Sequence, residues 1–254
     1  MKKELSKTRY VINAITVFAI ILIIWIVSTE LELIKPIVLP KPISIVNYWI
    51  EGFTENDLMT DTLVSLRRIF FGFLASAIVA VPLGIFAGTS KLCNSYINPI
   101  CEFMRYLPLP TLVPLVMVWF GIDETAKVVV LFLGCVFQLL LMVADAASSI
   151  SADLLNAGYT LGANKFHALW TILLPAALPR IFESLRMTMG WAWSYLTLAE
   201  LFAASSGLGY QILKAQRFMK TDAMFGLILL IGFMGLITDR IFALLDKLLF
   251  HWKE

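Results

Sequence analysis

Long runs of residues without charge constrain this chain more than any other feature of its sequence. The 22 residues from Ile69 to Ser90 and the 20 residues from Tyr10 to Thr29 contain no charged side chain. A helix needs roughly 20 apolar residues to cross the hydrocarbon core of a bilayer. Only 15% of the 254 residues are charged and 59% are hydrophobic, whereas soluble domains are about 25% charged. The sequence therefore predicts an all-α, polytopic membrane protein.

Five runs without charge, and a sixth that is interrupted only by Glu200, predict about six transmembrane helices. They cover Tyr10–Thr29, Ile69–Ser90, Tyr106–Ile122, Val128–Ala144, Met187–Ala204 and Ala223–Thr238. The third contains three prolines, each of which removes a backbone donor, so it is either a kinked structural helix or a segment that lines a cavity. The first is too long for a signal peptide and lacks a small-residue cleavage site, which predicts an anchored first span.

Basic residues predict the orientation of these spans. With both termini in the cytoplasm, twelve of the 20 Lys and Arg residues fall inside and eight outside, as the positive-inside rule favours. Arg67 and Arg68 lie on the outer side in this arrangement, against the rule.

Small residues recur at every fourth position of the second span. This spacing puts them on one helix face, and small residues let two helices approach closely in lipid. We predict a packing face against another span or a second copy of the chain, formed by Gly72, Ser76, Ala80, Gly84 and Gly88.

Polar residues within the fourth and fifth spans are candidates for lining a solute pathway. Ionisable groups inside spans are costly and are paired or functional, so Glu200 is either paired structurally or in contact with solute. The uncharged candidates offer hydrogen bonds to a small polar solute; they are Gln138, Thr188, Trp191, Ser194, Tyr195 and Thr197.

Catalytic and nucleotide-binding motifs are not found in the sequence. It contains no GxxxxGK[ST] phosphate loop, no GxSxG and no HExxH, so ATP-driven work would need an ATPase on another chain. Its three cysteines lack CxxC spacing and its net charge is only +2, which argues against a metal site and against nucleic acid. We predict no enzyme activity and no cofactor on this chain.

A polar segment, NAGYTLGANKFHALWTILLPAALP at 156–179, separates two apolar spans. Its apolar residues recur at steps of four and three, the period of an amphipathic helix: Leu155, Tyr159, Gly162, Phe166, Leu169 and Leu173. We expect Gly162 to divide the segment into two short helices and Pro175 to end or kink the run. Periodicity leaves open whether the segment lies on the membrane or docks on a soluble partner.

Within this segment, Asn156-Ala157-Gly158, Gly162 and the stretch Ile172–Pro175 resemble the signature EAA–x3–G–x9–IxLP of permease subunits of binding-protein-dependent ABC importers. Residues 65–73, 81–88, 108–122 and 183–212 resemble the nitrate/sulfonate/taurine/bicarbonate branch of that family. Asn156 stands where the family has Glu, and Gly158 where it has the second Ala. Asp153, one turn earlier, is the candidate to supply a carboxylate in place of that Glu.

The resemblance implies an importer-type permease with a cytoplasmic coupling segment, residues 153–174, that contacts a separate ATPase. The residues expected there are Asp153, Asn156, Ala157, Gly158, Thr160, Gly162, Ala163, Asn164, Lys165 and His167. Residues 1–34 would be a tail and the first span, 35–250 the permease core and 251–254 a short cytoplasmic tail. The expected location is the bacterial cytoplasmic (inner) membrane.

The resemblance also implies partners: two ATPase subunits that bind ATP and Mg, an extracytoplasmic solute-binding protein and a second permease copy. The implied solute is a small anion such as a sulfonate, nitrate or bicarbonate, although a neutral vitamin precursor remains open within the same branch. A self-contained secondary transporter or channel is the alternative class. It would predict an inverted repeat, which the sequence does not show.

Overall fold

The structure is a computed structural model that describes residues 6–55 and 57–252, and in this part of the chain it contains helices and no strand. The helices are α1 Lys7–Glu30, α2 Pro42–Thr54, α3 Leu58–Thr89, α4 Lys91–Met104, α5 Leu109–Phe120, α6 Glu124–Ser148, α7 Ala152–Thr160, α8 Lys165–Ala168, α9 Leu174–Ala203, α10 Leu208–Arg217 and α11 Thr221–Leu249, with a π-helical turn at Leu169–Leu173. The predicted all-α fold is confirmed. Residues 253 and 254 of the predicted tail lie outside the described residues.

Five helices among the described residues are long and apolar enough to cross a membrane, or six if one bent pair counts as a span. They are Val11–Glu30, Leu58–Thr89, Glu124–Ser148, Lys165–Phe202 and Thr221–Leu249. The prediction of about six spans is therefore confirmed, but the third is not one helix. It consists of α4 and α5, which meet at 101°, and the 12 residues of α5 cover only about 18 Å of a core about 30 Å thick.

Two helices begin well before the apolar runs that predicted them. The helix α3 starts at Leu58 rather than Ile69, and α9 starts at Leu174 rather than Met187. Their added turns carry charged residues, some of which are paired within the protein: Arg186 of α9, for example, donates from Nε to Oδ1 of Asp239 on α11 at 2.6 Å. Because paired charges are tolerated inside a helix bundle, the first charged residue did not mark the helix end.

The helix α6 lies at the centre of the larger compact unit, residues 60–210 and 230–254. It contributes buried residues to three apolar clusters, one shared with α3, α4 and α9, one with α3 and α9, and one with α5 and α9. A helix that is apolar on most sides is expected to be largely covered, and most of α6 is buried or half-buried.

The row of small residues on α3 lies against α6. A Cβ at Gly72 would approach Leu131 to 2.5 Å, and one at Gly84 would lie 2.8 Å from the carbonyl oxygen of Leu140. The Ser76 hydroxyl donates to the carbonyl of Phe132 at 3.2 Å. Ala80 is buried, and a Cβ at Gly88 would collide with the carbonyl of Ala144. The two backbones are close because these side chains are small.

The smaller compact unit comprises residues 1–59 and 211–229. Tryptophan side chains fix its helices by bonding to backbone carbonyls: Trp25 Nε1 donates to Pro40 at 3.0 Å, and Trp49 Nε1 donates to Gly226 at 2.9 Å. Lys41 and Glu30 form an ion pair of 2.9 Å.

Candidate functional site

The α7–α8 segment, residues 152–174, follows α6 and contains two short helices with side-chain caps, followed by the π-helical turn. The Ser151 hydroxyl accepts the N–H of Leu154 at 3.3 Å at the start of α7. Oδ1 of Asn164 accepts the N–H of His167 at 2.8 Å at the start of α8. Ser and Asn are preferred at this position because they satisfy amides that have no partner in the helix. The sequence thus specifies where both helices begin.

The turn between α7 and α8 is built around Gly162. Its φ of +88° lies in the left-handed region, which glycine adopts without steric cost. The N–H of Gly162 donates to the carbonyl of Tyr159 at 3.0 Å, and the N–H of Ala163 donates to Gly158 at 3.0 Å. This pair of bonds is a Schellman motif. The predicted break at Gly162 is confirmed.

The two halves of the predicted signature pack against each other. A Cβ at Gly158 would collide with Cδ1 of Ile172, so the two residues fit because position 158 has no side chain. Pro175 lies in the first turn of α9, just after the π-helical turn, in which the N–H of Leu174 donates to Leu169. The helical run therefore continues past Pro175 through this wider turn and does not end there.

Most residues predicted to contact an ATPase are exposed. Gly158 is buried and Ala163 is half-buried; the exposed ones are Asp153, Asn156, Ala157, Thr160, Gly162, Asn164, Lys165 and His167. Apolar side chains are exposed beside them, with Leu161 89% and Phe166 72% accessible. Phe166 is exposed whereas Leu155 is half-buried, because the turn at Gly162 interrupts the helical period. The segment presents a mixed polar and apolar surface.

Three of the predicted pathway residues, Gln138, Trp191 and Tyr195, line one cavity of about 240 Å³ between α4, α5, α6 and α9. The Tyr195 ring lies close to α6 because a Cβ at Gly134 would come within 2.6 Å of its Cδ2. Gln138 lies about 21 Å from the N-terminal end of α6 and about 15 Å from its C-terminal end. The cavity is therefore near mid-depth of the longest helices.

The remaining candidates on α9 lie elsewhere. Ser194 and Thr197 face a separate groove of about 640 Å³ that is also lined by Gly190, Gly232 and Gly235. Thr188 is buried, and its hydroxyl donates to the carbonyl of Ser184 at 2.8 Å. The structure thus divides the α9 candidates between two sides of the helix and does not bring them into one cavity.

Glu200 is buried in a set of ion pairs and hydrogen bonds at the N-terminal end of α6. Arg68 Nη1 donates to Glu200 Oε1 at 2.8 Å, and its Nε and Nη2 donate to the two carboxylate oxygens of Glu124 at 2.7 and 2.6 Å. Lys127 donates to Glu124 at 2.8 Å. The side chains of Arg68 and Glu200 are 1% and 0% exposed. Both carboxylates are therefore matched by cations within the protein.

The same set of bonds holds the start of α10. The N–H of Gly207 donates to Asp61, that of Leu208 to the Ser65 hydroxyl at 2.9 Å, and that of Gly209 to Glu200 Oε2 at 2.7 Å. The Ser65 hydroxyl donates in turn to Glu200 Oε1 at 2.7 Å. Arg68 also donates to the carbonyl and hydroxyl oxygens of Ser206, at 2.6 and 3.1 Å. We call this set the polar network; it comprises Asp61, Ser65, Arg68, Glu124, Lys127, Glu200, Ser206 and the amides of residues 207–209.

Most of the polar network was missed by reasoning from the sequence. Glu200 was singled out, but its partners are remote: Arg68 is 132 residues away from it and 56 away from Glu124. The available signal was that the predicted orientation puts Arg68 on the outer side, against the positive-inside rule. A basic residue there needs a partner, and two carboxylates supply it, whereas Arg67 is exposed.

Comparison with known proteins agrees with this architecture. The sequence profile of the family described as binding-protein-dependent transport system inner membrane component matches residues 80–251. A Bacillus subtilis strain 168 protein named for aliphatic sulfonates transport, SsuC, is 32% identical over 100% of this chain and 92% of its own length. The taurine transport system permease protein TauC of Escherichia coli K12 is 31% identical over 96% and 91%. The nitrate import permease protein NrtB of Synechocystis is 26% identical over 94% and 89%.

Solved structures share the fold. An inward-facing MetNI methionine ABC transporter chain has a TM-score of 0.68 at 18% identity over 75% of this chain and 94% of its own. A chain of an amino acid ABC transporter with histidines has a TM-score of 0.57 at 19% identity over 82% and 96%. At this identity they support the fold alone, whereas the sequence relatives and the family profile support the function. The chain therefore belongs to the family of inner-membrane components of binding-protein-dependent transport systems, and it is an ABC importer permease.

Proposed function

We propose that the α7–α8 segment is the surface on which a separate ATPase docks, and that this contact couples ATP hydrolysis to import. The observation that carries the proposal is the exposed, capped turn at Gly162. Leu161 beside it is 89% accessible, and isolated apolar side chains rimmed by polar ones are common anchors at protein interfaces. Lys165 and His167 next to it are exposed as well.

Two copies of the permease would work with two ATPase subunits, which hold ATP and Mg, and with an extracytoplasmic solute-binding protein. Both termini and the α7–α8 segment would face the cytoplasm of a bacterial cell, and the polar network would face the binding protein. Closure of the ATPases on ATP would then shift the permease between inward-facing and outward-facing states. A ligand shifts such an equilibrium when it binds the two states unequally.

We infer that the solute is a small anion. Aliphatic sulfonates, taurine and nitrate, for which the relatives are named, all carry an oxyanion group. An unpaired Glu200 on α9 would oppose the passage of an anion. Its charge is balanced by Arg68 and its side chain is fully buried, so its negative field is matched within the protein.

Disulfide cross-linking tests the docking surface. Single cysteines at Thr160, Asn164 and Lys165 are paired with cysteines on the ATPase in membranes, after the half-buried Cys93 has been replaced by serine. We expect cross-links at these positions. Cysteines at the exposed Gln216 on α10 and Thr54 on α2 serve as controls and should give none.

Reconstitution tests whether ATP hydrolysis belongs to a separate subunit. We expect the purified permease to hydrolyse no ATP, and its complex with the ATPase to hydrolyse ATP faster when the loaded binding protein is added. Cross-links only at the control positions would contradict the docking surface, and hydrolysis by the permease alone would contradict the separate ATPase.

A further inference from the structure

An exposed arginine that no carboxylate neutralises lines the cavity near mid-depth. Arg105, at the break between α4 and α5, lines it together with Gln138 and Tyr195. Arg105 forms no ion pair in the described part of the chain, where the arginines at 68 and 186 both do. Its guanidinium donates to the Tyr106 hydroxyl at 3.0 Å and lies 4.9 Å from the centre of that ring. Most of its donors therefore remain available.

The other polar groups of the cavity are mainly donors. Arginine and the tryptophan indole donate only, and the Gln138 amide and Tyr195 hydroxyl each supply a donor. Among the described residues, the side chains of Gln138, Trp191 and Tyr195 make no hydrogen bond with another protein group, and no carboxylate lines the cavity. One positive charge with several neutral donors suits an oxyanion.

The rest of the wall is apolar, and this narrows the class of anion. A volume of about 240 Å³ lies just below the roughly 300–1,000 Å³ typical of pockets for drug-sized ligands. A bare inorganic anion would leave the apolar side chains against water, whereas a short carbon chain would cover them. These side chains are Met104, Leu107, Leu109, Leu112, Leu133 and Phe137.

We propose that this cavity is a binding subsite for a small organic anion within the permease itself. Arg105 binds the oxyanion head, Gln138 and Tyr195 orient it, and the apolar wall holds the carbon chain. The inference rests on the proposed import function and adds to it that the permease selects its solute independently of the binding protein. Arg105 is then the residue that determines charge selectivity.

Direct binding to the permease–ATPase complex, without binding protein, tests this subsite. The probe is radiolabelled butanesulfonate, with butyl methyl sulfone as a neutral competitor of similar shape. We expect the sulfonate to bind and the sulfone to compete poorly. Arg105→Gln should weaken sulfonate binding about tenfold or more, Arg105→Lys by less than about threefold, because the charge-assisted bond dominates. Arg67→Gln, which removes an exposed arginine outside the cavity, should change nothing.

Import into proteoliposomes distinguishes failure of the proposed solute class from failure of the subsite. Failure of the complete wild-type transporter to import any anion would overturn the proposed solute class. Two results would overturn the subsite alone. In one, import is normal but the complex binds no sulfonate; in the other, import is normal and Arg105→Gln binds the sulfonate as well as the wild type does. If Arg105→Gln does not assemble with the ATPase, Tyr195→Phe and Gln138→Leu decide: each should weaken binding about fivefold, and unchanged binding in both would overturn the subsite.

Discussion

At the N-terminal end of α6 polar side chains bond to distant parts of the chain, whereas beyond its C-terminal end they bond to their own helix. In the polar network, Arg68 joins Glu124 and Glu200 across 56 and 132 residues. In the α7–α8 segment, the bonds of Ser151 and Asn164 each reach only three residues along the chain. The two regions are about 37 Å apart along α6.

This difference separates two uses of polar residues in one membrane protein. In the polar network the hydrogen-bonding groups bond to one another, and these bonds connect α3, α6, α9 and α10. In the α7–α8 segment the capping side chains bond only to the helix ends, and side chains such as Lys165 and His167 are exposed. Regions with few buried contacts open locally at lower cost than regions with many, so the two ends should differ in stability as well as in accessibility.

The largest effect is expected from Arg68→Met. It leaves the fully buried Glu200 without a cation, while Glu124 keeps Lys127 as a partner. Removing one partner of a buried ion pair costs about 3–5 kcal/mol. We expect a large fall in the thermal unfolding temperature of the purified permease, with Arg67→Met as the exposed control on the same helix. Equal melting of the two variants would show that the polar network does not hold the helices together.

A second comparison uses the left-handed glycine of each region. Gly207 has φ +105° and Gly162 has φ +88°, so alanine costs about 1–2 kcal/mol at either position through backbone conformation. A Cβ at Gly162 meets nothing within 4 Å, whereas at Gly207 it collides with the Glu200 carboxylate and lies 2.6 Å from Arg68 Nη1.

We therefore expect Gly207→Ala to lower the free energy of unfolding by about 1–3 kcal/mol more than Gly162→Ala, the usual cost of overpacking. Chemical denaturation of both variants measures the difference, and equal values would refute it. A bulky residue at Gly162 that leaves the permease stable but abolishes transport would indicate a clash with the ATPase, because the chain itself leaves room.

The same contrast explains what could be predicted from the sequence. The break at Gly162 and the two short helices depend on bonds that span three to five residues, so local pattern was sufficient. The packing of α3 on α6 was visible as a period of small residues. The polar network was not, because no local feature connects Asp61 or Arg68 with residues 200–209.

The predicted boundaries of the spans were wrong for a related reason. An uncharged run was taken as the extent of a helix, but α3 and α9 both continue through charged residues outside that run. The bend between α4 and α5 was indicated by prolines only as a kink. Both helices pack on α6, and such contacts join residues far apart in the chain, so local pattern does not give the angle of 101°.

A smaller effect tests whether the α7–α8 segment is held by one tertiary contact. Gly158→Ala forces Ile172 to move, because the new methyl group collides with its Cδ1. Ile172→Val removes that atom and by itself costs about 0.5–1.5 kcal/mol. We expect the double variant to be more stable than the sum of the single variants predicts, by at least about 0.5 kcal/mol. Additive costs, measured by denaturation, would show that the contact is not formed.

The smallest effect concerns the two helix caps. Ser151→Ala and Asn164→Ala should each cost about 1 kcal/mol and speed amide hydrogen exchange in the adjoining helix about fivefold. Asn164→Asp, which keeps an acceptor for the His167 amide, should leave exchange in α8 nearly unchanged. The caps share no bonding partner, so the effects of the two alanine variants should add.

In the polar network, by contrast, Arg68→Met and Glu200→Gln should be strongly non-additive, because the second change removes the charge that the first leaves unpaired. Non-additive caps would mean that the α7–α8 segment is as cooperative as the polar network, and the contrast between the two ends of α6 would then fail.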